Sequence, residues 1–178
     1  MVTTHHKTAV IGVIYLAVEK YLKEYLQSLS IQSCQEFDLL LANDGMKNAE
    51  EYLADYSNSL TIHNIKGTPS EIRIKLIKIT LQSGYKKVIF TDCDDTLENN
   101  RVEQTNKLLD RNEIVANEIN IANEAGKIVQ EQYFSNRIPV ESIITKEQLC
   151  NSNMMGFTNT AATDEVLTTV VKQIESRE

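Results

Sequence analysis

The sequence predicts one α/β domain in which a mostly parallel sheet is flanked by helices. Short apolar runs alternate with amphipathic segments through the first half of the chain, as in successive βαβ units. The length of 178 residues is typical of one domain. The chain has no internal repeat and no linker rich in proline and glycine, and two prolines are too few to mark a hinge.

The first half of the chain supplies the predicted parallel strands. Residues 8–16 form a nearly continuous apolar, β-branched run, typical of a strand covered on both faces. Apolar residues at helical spacing over 18–29 then predict an amphipathic helix. Further strands are predicted over residues 37–42, 59–65 and 86–91, with a weak helix over 48–56.

Residues 69–84 carry conflicting signals. Ile72, Ile74 and Leu76 alternate along the sequence as they would in a strand. Proline and glutamate at the beginning and Gly84 at the end are typical of a helix, and the segment is long for a strand. We therefore predict a helix.

The second half is predicted from weaker patterns. Tyr15, Tyr21 and Tyr25 lie at strand or near-helical spacing and are expected in the core. The predicted elements are a helix over 98–112, two strands over 113–123 and 127–134 around a turn at 124–126, a short helix over 145–150 and a closing helix over 163–176.

Composition and charge exclude several classes of protein. Eighteen basic and 25 acidic residues give a formal net charge of −7; since affinity for nucleic acid needs clustered lysine and arginine, no nucleic-acid partner is expected. The longest apolar run, residues 9–18, is shorter than the roughly 20 residues that span a bilayer, so no transmembrane segment is expected. Three widely spaced cysteines without a CxxC pair indicate reduced thiols. We expect a cytoplasmic protein, with peripheral membrane attachment left open.

Two polar clusters follow predicted strands at their carboxyl ends, where open α/β sheets bind ligands. Asn-Asp-Gly occupies residues 43–45, and Asp-Cys-Asp-Asp occupies 92–95. Three carboxylates so close together repel one another, and a divalent ion that also holds substrate phosphates relieves the repulsion. The pattern favours a metal that bridges the protein to a diphosphate. Two ordinary alternatives stay open, because Asp95 or Thr96 would also cap the next helix and Asn-Asp-Gly is common in turns.

The order of these segments resembles the nucleotide-sugar half of inverting family-two glycosyltransferases, which have the Rossmann-like A-type fold. Such enzymes carry a helix ending in Leu-x-Ser-Leu-x-x-Gln, a strand ending in Asp-Asp-Gly-Ser, a helix with an arginine and a strand ending in Asp-x-Asp-Asp. The matching positions here are Leu26, Ser28, Leu29 and Gln32, then residues 43–45, then Arg73, then residues 92–95. Residues 153–156 resemble the strand before the acceptor region, and the likeness spans roughly residues 8–160.

The resemblance implies roles for five residues. Asp44 would contact the nucleoside, and Arg73 the uracil-side or phosphate environment. Asp94 would hold Mn²⁺ or Mg²⁺ on the diphosphate, with Asp92 as a further metal ligand and Asp95 beside them. The implied reaction transfers a sugar from a nucleotide-diphosphate donor, with a UDP-sugar expected, to a hydroxyl of a glycan or lipid-linked acceptor.

Three departures from the family pattern bear on activity. Ala17 stands where the family has an asparagine, and Met46 replaces the small hydroxyl residue after Gly45. No general base is assigned, because Asp164-Glu165 has the pattern of a helix start. Residues 1–178 are therefore expected to form one nucleotide-sugar-binding domain, either part of a longer enzyme truncated after the acceptor-side strand or a non-catalytic domain of the same fold.

A second resemblance points to a different reaction. Residues 88–97 are similar to the first motif of haloacid dehalogenase-like phosphatases, an apolar strand followed by Asp-x-Asp-x-Thr-Leu. It would make Asp92 the nucleophile and Asp94 the acid/base, with magnesium. Against it, the motif lies in mid-chain and no later acidic pair follows an apolar strand. The transferase hypothesis requires Asp44, Arg73 and Asp94 to converge on one crevice; Asp44 and Asp94 on opposite faces would exclude it.

Overall fold

The computed structural model describes residues 7–137, 145, 147 and 155–177, and most of these build one mixed sheet and its covering helices. The strands are β1 (Thr8–Ile14), β2 (Asp38–Asn43), β3 (Leu60–Asn64), β4 (Lys87–Phe90), β5 (Ile114–Ala116), β6 (Ile121–Ala122), β7 (Ile128–Gln130) and β8 (Thr160–Thr163). Six of them form a sheet in the order β3-β2-β1-β4-β8-β5, while β6 and β7 form a separate hairpin. The strands β1 to β4 are parallel, and β8 is antiparallel to both of its neighbours. The predicted fold class is confirmed.

Five α-helices with both ends inside the described residues connect or cover these strands. They are α1 (Leu22–Ser30), α2 (Ala49–Leu53), α3 (Pro69–Gln82), α4 (Arg101–Leu109) and α5 (Asp164–Glu175), and a 3-10 turn spans Leu16–Val18. None of the helices in the described residues is long and apolar enough to cross a bilayer.

Strand β1 is the centre of the sheet and is packed on both faces. Val10 and Ile14 belong to the core beneath α1, while Ala9 and Ile11 belong to the core beneath α3. Burial on both faces explains why this segment is apolar at nearly every position instead of at alternate ones.

The conflict over residues 69–84 is resolved in favour of a helix. Thr68 caps α3: its Oγ1 accepts a hydrogen bond from the Glu71 N–H at 3.4 Å, and the Glu71 carboxylate accepts one from the Thr68 N–H at 2.7 Å. This capping box supplies partners for two N–H groups that the first helical turn leaves unpaired. Burial of Ile72 and Leu76 on one helical face then fixes α3 against the sheet.

Two predictions for the second half of the chain are wrong. Residues 113–123 do not form one strand: the chain leaves the sheet after Ala116, where the Asn117 N–H donates to the Asn159 carbonyl oxygen at 2.7 Å. The acceptor-side strand was expected at 153–156, but Met155 and Gly156 lie outside any strand and β8 begins at Thr160. Asn153, Met154 and most of the helix predicted over 145–150 lie outside the described residues.

The end of β1 also differs from its prediction. The strand ends at Ile14, two residues earlier than the apolar run, and Tyr15 and Leu16 are 41% and 69% exposed. Tyr15 is therefore not a core residue, whereas Tyr25 is fully buried as expected. The exposure of Tyr15 matters because this residue lies at the same edge of the sheet as the two polar clusters, residues 43–45 and 92–95.

Candidate functional site

The two acidic segments lie on either side of the end of β1. Ile14 pairs with Asn43 of β2, and Ile11 pairs with Phe90 of β4. Because these strands are parallel, Asp44 and Asp92 leave the sheet at the same carboxyl edge, the position at which open α/β sheets bind ligands. The convergence of Asp44, Arg73 and Asp94 on one crevice stays a prediction; the structure shows Arg73 paired with Asp92 at 3.5 Å and Asp44 paired with Lys66, which follows β3, at 3.6 Å.

A fixed turn presents Asp44. Its N–H donates to the Ile14 carbonyl oxygen at 2.8 Å, which attaches the turn to β1. The buried Asn43 side chain closes the turn: its Nδ2 donates to the Met46 carbonyl oxygen at 3.1 Å, and its Oδ1 accepts from the Met46 N–H at 2.8 Å. The bond from the Met46 N–H does not depend on the side chain at that position. Met46 itself is buried, so its replacement of the family's hydroxyl residue leaves the turn intact.

The chain at the start of the second acidic segment, residues 92–95, packs closely against the backbone of β1. A Cβ on Gly12 of β1 would lie 2.8 Å from Cys93 Sγ and 3.2 Å from Thr91 Oγ1, so only glycine fits there without movement. Thr91 Oγ1 donates to the Ile11 carbonyl oxygen at 3.0 Å and lies 2.7 Å from the Tyr25 hydroxyl. Cys93 is 1% exposed, and burial raises the pKa of its thiol, so it packs as a small protonated side chain.

Ser28 of α1 and Gln32, which lies just after this helix, hold the segment that follows the carboxylates. Ser28 Oγ accepts a hydrogen bond from the Leu97 N–H at 3.1 Å. Gln32 donates from Nε2 to the Glu98 carbonyl oxygen at 2.8 Å and accepts at Oε1 from the Val102 N–H at 3.0 Å. The serine and glutamine that matched the family phrase therefore position the loop between β4 and α4.

Arg73 joins α3 to the acidic segment. Its Nη2 lies 3.5 Å from Asp92 Oδ1, and its guanidinium carbon lies 4.4 Å from the centroid of the Phe157 ring. Phe157 in turn packs edge-on against Phe90, with 5.0 Å between ring centroids. Arg73 thus places one positive charge beside the carboxylates. The Phe157 ring packs against the guanidinium and holds it there.

Burial and the local charges raise the pKa values of Asp92 and Asp95. Burial raises the pKa of the Asp92 carboxyl above its ordinary value; Arg73 opposes the shift, and Asp95 and Asp94 add to it. Loss of solvent also raises the pKa of Asp95, although Thr158 opposes this by donating a hydrogen bond to Asp95 Oδ2. Asp94 and Asp95 are exposed, whereas Asp92 is half-buried.

Tyr15 is a site residue that the sequence did not reveal. Burial raises the pKa of its phenol, and the negative charges of Asp94 and Asp92 raise it further. The hydroxyl therefore lies within electrostatic reach of the acidic trio, on the residue that follows Ile14. The sequence shows only that a tyrosine ends an apolar run. Tyrosines of a core are equally common at such a position.

The donor chemistry at this edge fits a magnesium or manganese ion. Asp92 and Asp94 offer carboxylate oxygens, which hard divalent cations prefer. Within the described part of the chain, no three acidic, histidine or cysteine side chains are arranged to hold a metal ion among themselves. An ion at this edge would accordingly take further oxygen ligands from a substrate diphosphate, as magnesium usually does.

Several solved structures have a fold similar to that of this chain. The structure of S. aureus TarS in complex with UDP-GlcNAc superposes with a TM-score of 0.65 and 21% sequence identity, covering 91% of this chain and 46% of that one. This chain therefore shares the α/β architecture of that structure. A 4-diphosphocytidyl-2C-methyl-D-erythritol synthase from Anaerococcus prevotii also superposes, with a TM-score of 0.59, 13% identity, and coverage of 95% of this chain and 75% of that one.

The similarity is one of fold and not of sequence. No protein-family model and no curated protein matches the sequence of the chain. The structure of TarS in complex with UDP has a TM-score of 0.62 and 21% identity, and this chain spans 48% of its length. This chain spans about half the length of the TarS structures that it matches.

Proposed function

We propose that this chain binds a nucleotide-diphospho-sugar, with a UDP-sugar as the expected donor, and that it belongs to a transferase of the inverting family-two type. The observation that supports the proposal most is the position of Asp44 and of residues 92–95 on either side of the end of β1. The acceptor is proposed to be a hydroxyl of a glycan or of a lipid-linked sugar. TarS, with a similar fold, was solved with UDP-GlcNAc.

Each residue of the site has a proposed task. Asp44 contacts the nucleoside, and Asp94 and Asp92 hold a Mn²⁺ or Mg²⁺ ion against the diphosphate. Arg73, 3.5 Å from Asp92, limits the repulsion among the carboxylates while no ligand is bound. The ion, when bound, neutralises the negative charge that develops on the nucleoside diphosphate as it leaves. Asp95, bonded to Thr158, keeps the loop before β8 close to this edge.

A non-catalytic nucleotide-sugar-binding domain is the second candidate. It is favoured by the position of Asp164, which begins α5 and pairs with Lys86 at 2.7 Å. The phosphatase alternative has less support, because its motif lies in mid-chain.

Calorimetric titration with UDP, with and without manganese, tests donor binding. We expect manganese to raise the affinity for UDP by about tenfold or more, a typical coupling between two ligands of one site. Asp94→Asn should abolish the enhancement, and it should not lower the melting temperature because it removes a repelling charge. The control is Asp55→Asn, which removes the same charge from an exposed position after α2. Equal affinity with and without manganese would contradict the proposed metal role, and no binding of UDP would contradict the function.

Release of UDP from a UDP-sugar separates the two candidates. A transferase releases UDP when the donor is supplied with manganese and an acceptor, and it does so faster than Asp94→Asn. A binding domain shows metal-dependent affinity for UDP, but it releases UDP no faster than Asp94→Asn does. Release of inorganic phosphate from a generic phosphoester would instead revive the phosphatase alternative.

A further inference from the structure

We propose that the β6–β7 hairpin is an arm whose tip docks beside Lys20 and so closes the carboxyl edge of the sheet over residues 92–95. The tip is the turn at residues 123–127, between the two strands. Docking of the tip is a property of the chain itself. Closure on a ligand rests on the proposed function, because the ligand expected at this edge is the nucleotide-diphospho-sugar.

The hairpin stands apart from the core. Every residue from 121 to 129 is exposed, and β6 and β7 form a sheet of two strands. Ile121, Ile128 and Val129 are 36%, 45% and 60% exposed. Two strands alone are marginally stable in water, so a hairpin of this kind gains stability when its apolar side chains pack against another surface.

The base of the hairpin is fixed and supplies a pivot. The Tyr133 N–H donates to the Ile119 carbonyl oxygen at 2.9 Å, and the Gln132 N–H donates to Asn120 Oδ1 at 2.9 Å. Gln132 has a φ of +51°, in the left-handed region that residues other than glycine rarely adopt. Strained residues cluster at segments that switch between conformations. A change of φ at Gln132 turns the hairpin relative to Tyr133.

The hairpin leaves the main sheet at the edge that carries the acidic residues. Strand β8 is antiparallel to both β4 and β5, so β5 ends at the same edge as β4, which Asp92 follows. In the order β1-β4-β8-β5, strand β5 lies three strand spacings from β1, about 14 Å. Glu124 at the tip lies eight residues after Ala116, and an extended segment of that length spans up to about 26 Å. The hairpin is therefore long enough to cross the ends of β8 and β4 and reach the segment after β1.

An electrostatic contact indicates the direction in which the hairpin extends. The pKa of the Lys20 ammonium is raised, first by the Tyr21 hydroxyl and to a smaller extent by the negative charge of Glu124. Lys20 follows β1, whereas Glu124 belongs to the turn between β6 and β7, so the hairpin leans toward β1. The Lys20 ammonium lies over the Tyr21 ring, 4.4 Å from its centroid. Its flexible methylenes let it turn to Glu124 as the tip approaches.

A groove beside the β1–α1 connection matches the tip in charge. The groove has a volume of about 420 Å³, and its lining residues are Leu16, Ala17, Glu19, Lys20 and Tyr52. The groove carries one charge of each sign, on Glu19 and Lys20, and so does the tip, on Glu124 and Lys127. Docking that pairs Lys20 with Glu124 brings Lys127 to the side of Glu19. Ile128, the next residue, then packs on the apolar wall of the groove.

The docked arrangement is held weakly, and this suits an arm that opens and closes. An exposed ion pair contributes little to stability and is screened by salt. Open and docked arrangements are then both populated, and a ligand that contacts the docked hairpin shifts the balance toward it. Closure excludes water from residues 92–95, which strengthens the attraction between their carboxylates and a bound cation.

Carbodiimide coupling of the unmodified protein tests docking without any ligand. The reagent joins a carboxylate to an amine in direct contact, with loss of water, and mass spectrometry identifies the linked peptides. We expect a link between Lys20 and Glu124 that becomes more abundant when UDP and manganese are added. Glu124→Gln should remove this link. Glu131→Gln, at an exposed carboxylate just after β7, should retain it.

Amide hydrogen exchange of residues 121–130 tests closure on the ligand. UDP with manganese should slow this exchange by about fivefold or more, the lower end of typical couplings between two sites. Glu124→Lys should abolish the effect, because Lys20 then repels the tip. The double variant Lys20→Glu/Glu124→Lys should restore it, since the pair is reversed but complete. Glu131→Lys is the matched control and should leave the slowing unchanged.

The outcomes separate the hairpin from the function beneath it. Absence of the link between Lys20 and Glu124 with and without ligands would overturn docking. Metal-dependent binding of UDP with no slowing of exchange in the hairpin would overturn closure and leave the donor site in place. No rescue by the double variant would overturn the pairing of Lys20 with Glu124. Failure of UDP to bind would overturn the proposed function, and coupling without ligand would still decide whether the tip docks.

Discussion

Gln32 Oε1 accepts a hydrogen bond from the Val102 N–H at 3.0 Å, and so a side chain that lies just after α1 binds the first turn of α4, 70 residues away in sequence. The same amide donates to the Ser28 carbonyl oxygen at 3.0 Å and to the Glu98 carbonyl oxygen at 2.8 Å. Gln32 is 4% exposed, so these groups have no access to water as a substitute partner. The loop after the acidic trio therefore has its shape fixed by a residue that contacts none of the carboxylates.

Replacing Gln32 should destabilise the protein strongly. Gln32→Ala leaves the Val102 N–H and the Glu98 carbonyl oxygen without their partner, and unsatisfied buried groups cost about 1–3 kcal/mol each. We expect a loss of about 2–4 kcal/mol in the free energy of unfolding, measured by denaturant titration. Gln27→Ala, at an exposed position of α1, should change it by less than about 0.5 kcal/mol. Equal effects of the two substitutions would show that the Gln32 bonds do not hold the loop.

The contact between Gly12 and Cys93 predicts a specific steric coupling. Gly12→Ala places a Cβ 2.8 Å from Cys93 Sγ in a packed strand, and overpacking of this kind costs about 1–3 kcal/mol. The added substitution Cys93→Ala removes the sulfur, so the double variant should lose less stability than the two single losses added together. Gly156→Ala is the control, because its Cβ would lie 3.6 Å from Asn159 Oδ1, an ordinary contact. Additive losses in the double variant would contradict the clash.

The sequence predicted strands β1 to β4 and the two acidic segments that follow β2 and β4 because those signals are local. A β-branched run that ends in polar residues identifies β4 and Asp92 whatever the rest of the chain does. Strand β8 lacks such a signal: Thr-Ala-Ala-Thr becomes a strand because β4 and β5 pair with both of its edges. Propensity for strand depends on neighbours of this kind, which a single sequence does not display.

The site was predicted only in part for the same reason. Asp44, Arg73 and Asp92 carry charge in recognisable phrases, and the structure brings Arg73 and Asp92 together. The contributions of Tyr15 and Lys66 depend on which strand ends lie side by side. Nothing in the sequence distinguishes these two residues from other polar or aromatic side chains. Each of them lies near the acidic residues only because of the way in which the strands are arranged.

The Glu118 carboxylate predicts a pH-dependent attachment of the segment after β7. It accepts hydrogen bonds from the Phe134 N–H at 2.8 Å and from the Ser135 N–H at 2.8 Å. Burial works against its ionisation, but the hydrogen bonds from Ser135, Phe134 and Ile119 outweigh burial and hold its pKa below the ordinary value. Because the folded pKa is lowered, the stabilisation is present above the unfolded pKa, near 4.5, and is lost as the pH falls through the folded pKa.

Amide chemical shifts of residues 134 and 135 measure this effect. We expect both shifts to be constant at neutral pH and to move together below the unfolded pKa of a glutamate, as protonation removes the acceptor. Glu118→Gln should abolish that titration, whereas Glu124→Gln, an exposed carboxylate at the hairpin turn, should preserve it. A midpoint above 4.5 in the wild type would contradict the lowered pKa.

Arg101, the first residue of α4, predicts a substitution that stabilises the protein. It is 8% exposed, and burial lowers its pKa to about 10. Within the described residues, its Nε and Nη2 atoms are buried without a hydrogen-bond partner. Replacing a buried charge that lacks compensation with an apolar side chain of similar length removes the desolvation cost, and such changes gain about 1–4 kcal/mol.

Denaturant titration of Arg101→Met and of the control Arg111→Met tests this expectation. Arg111 is exposed after the end of α4, so its loss should change the free energy of unfolding by less than about 0.5 kcal/mol. Arg101→Met should raise it by about 1–3 kcal/mol and leave the manganese-dependent affinity for UDP unchanged. A loss of stability would mean that the Arg101 guanidinium has an acceptor beyond the residues that the structure describes. A loss of UDP affinity at unchanged stability would instead place Arg101 in the donor site.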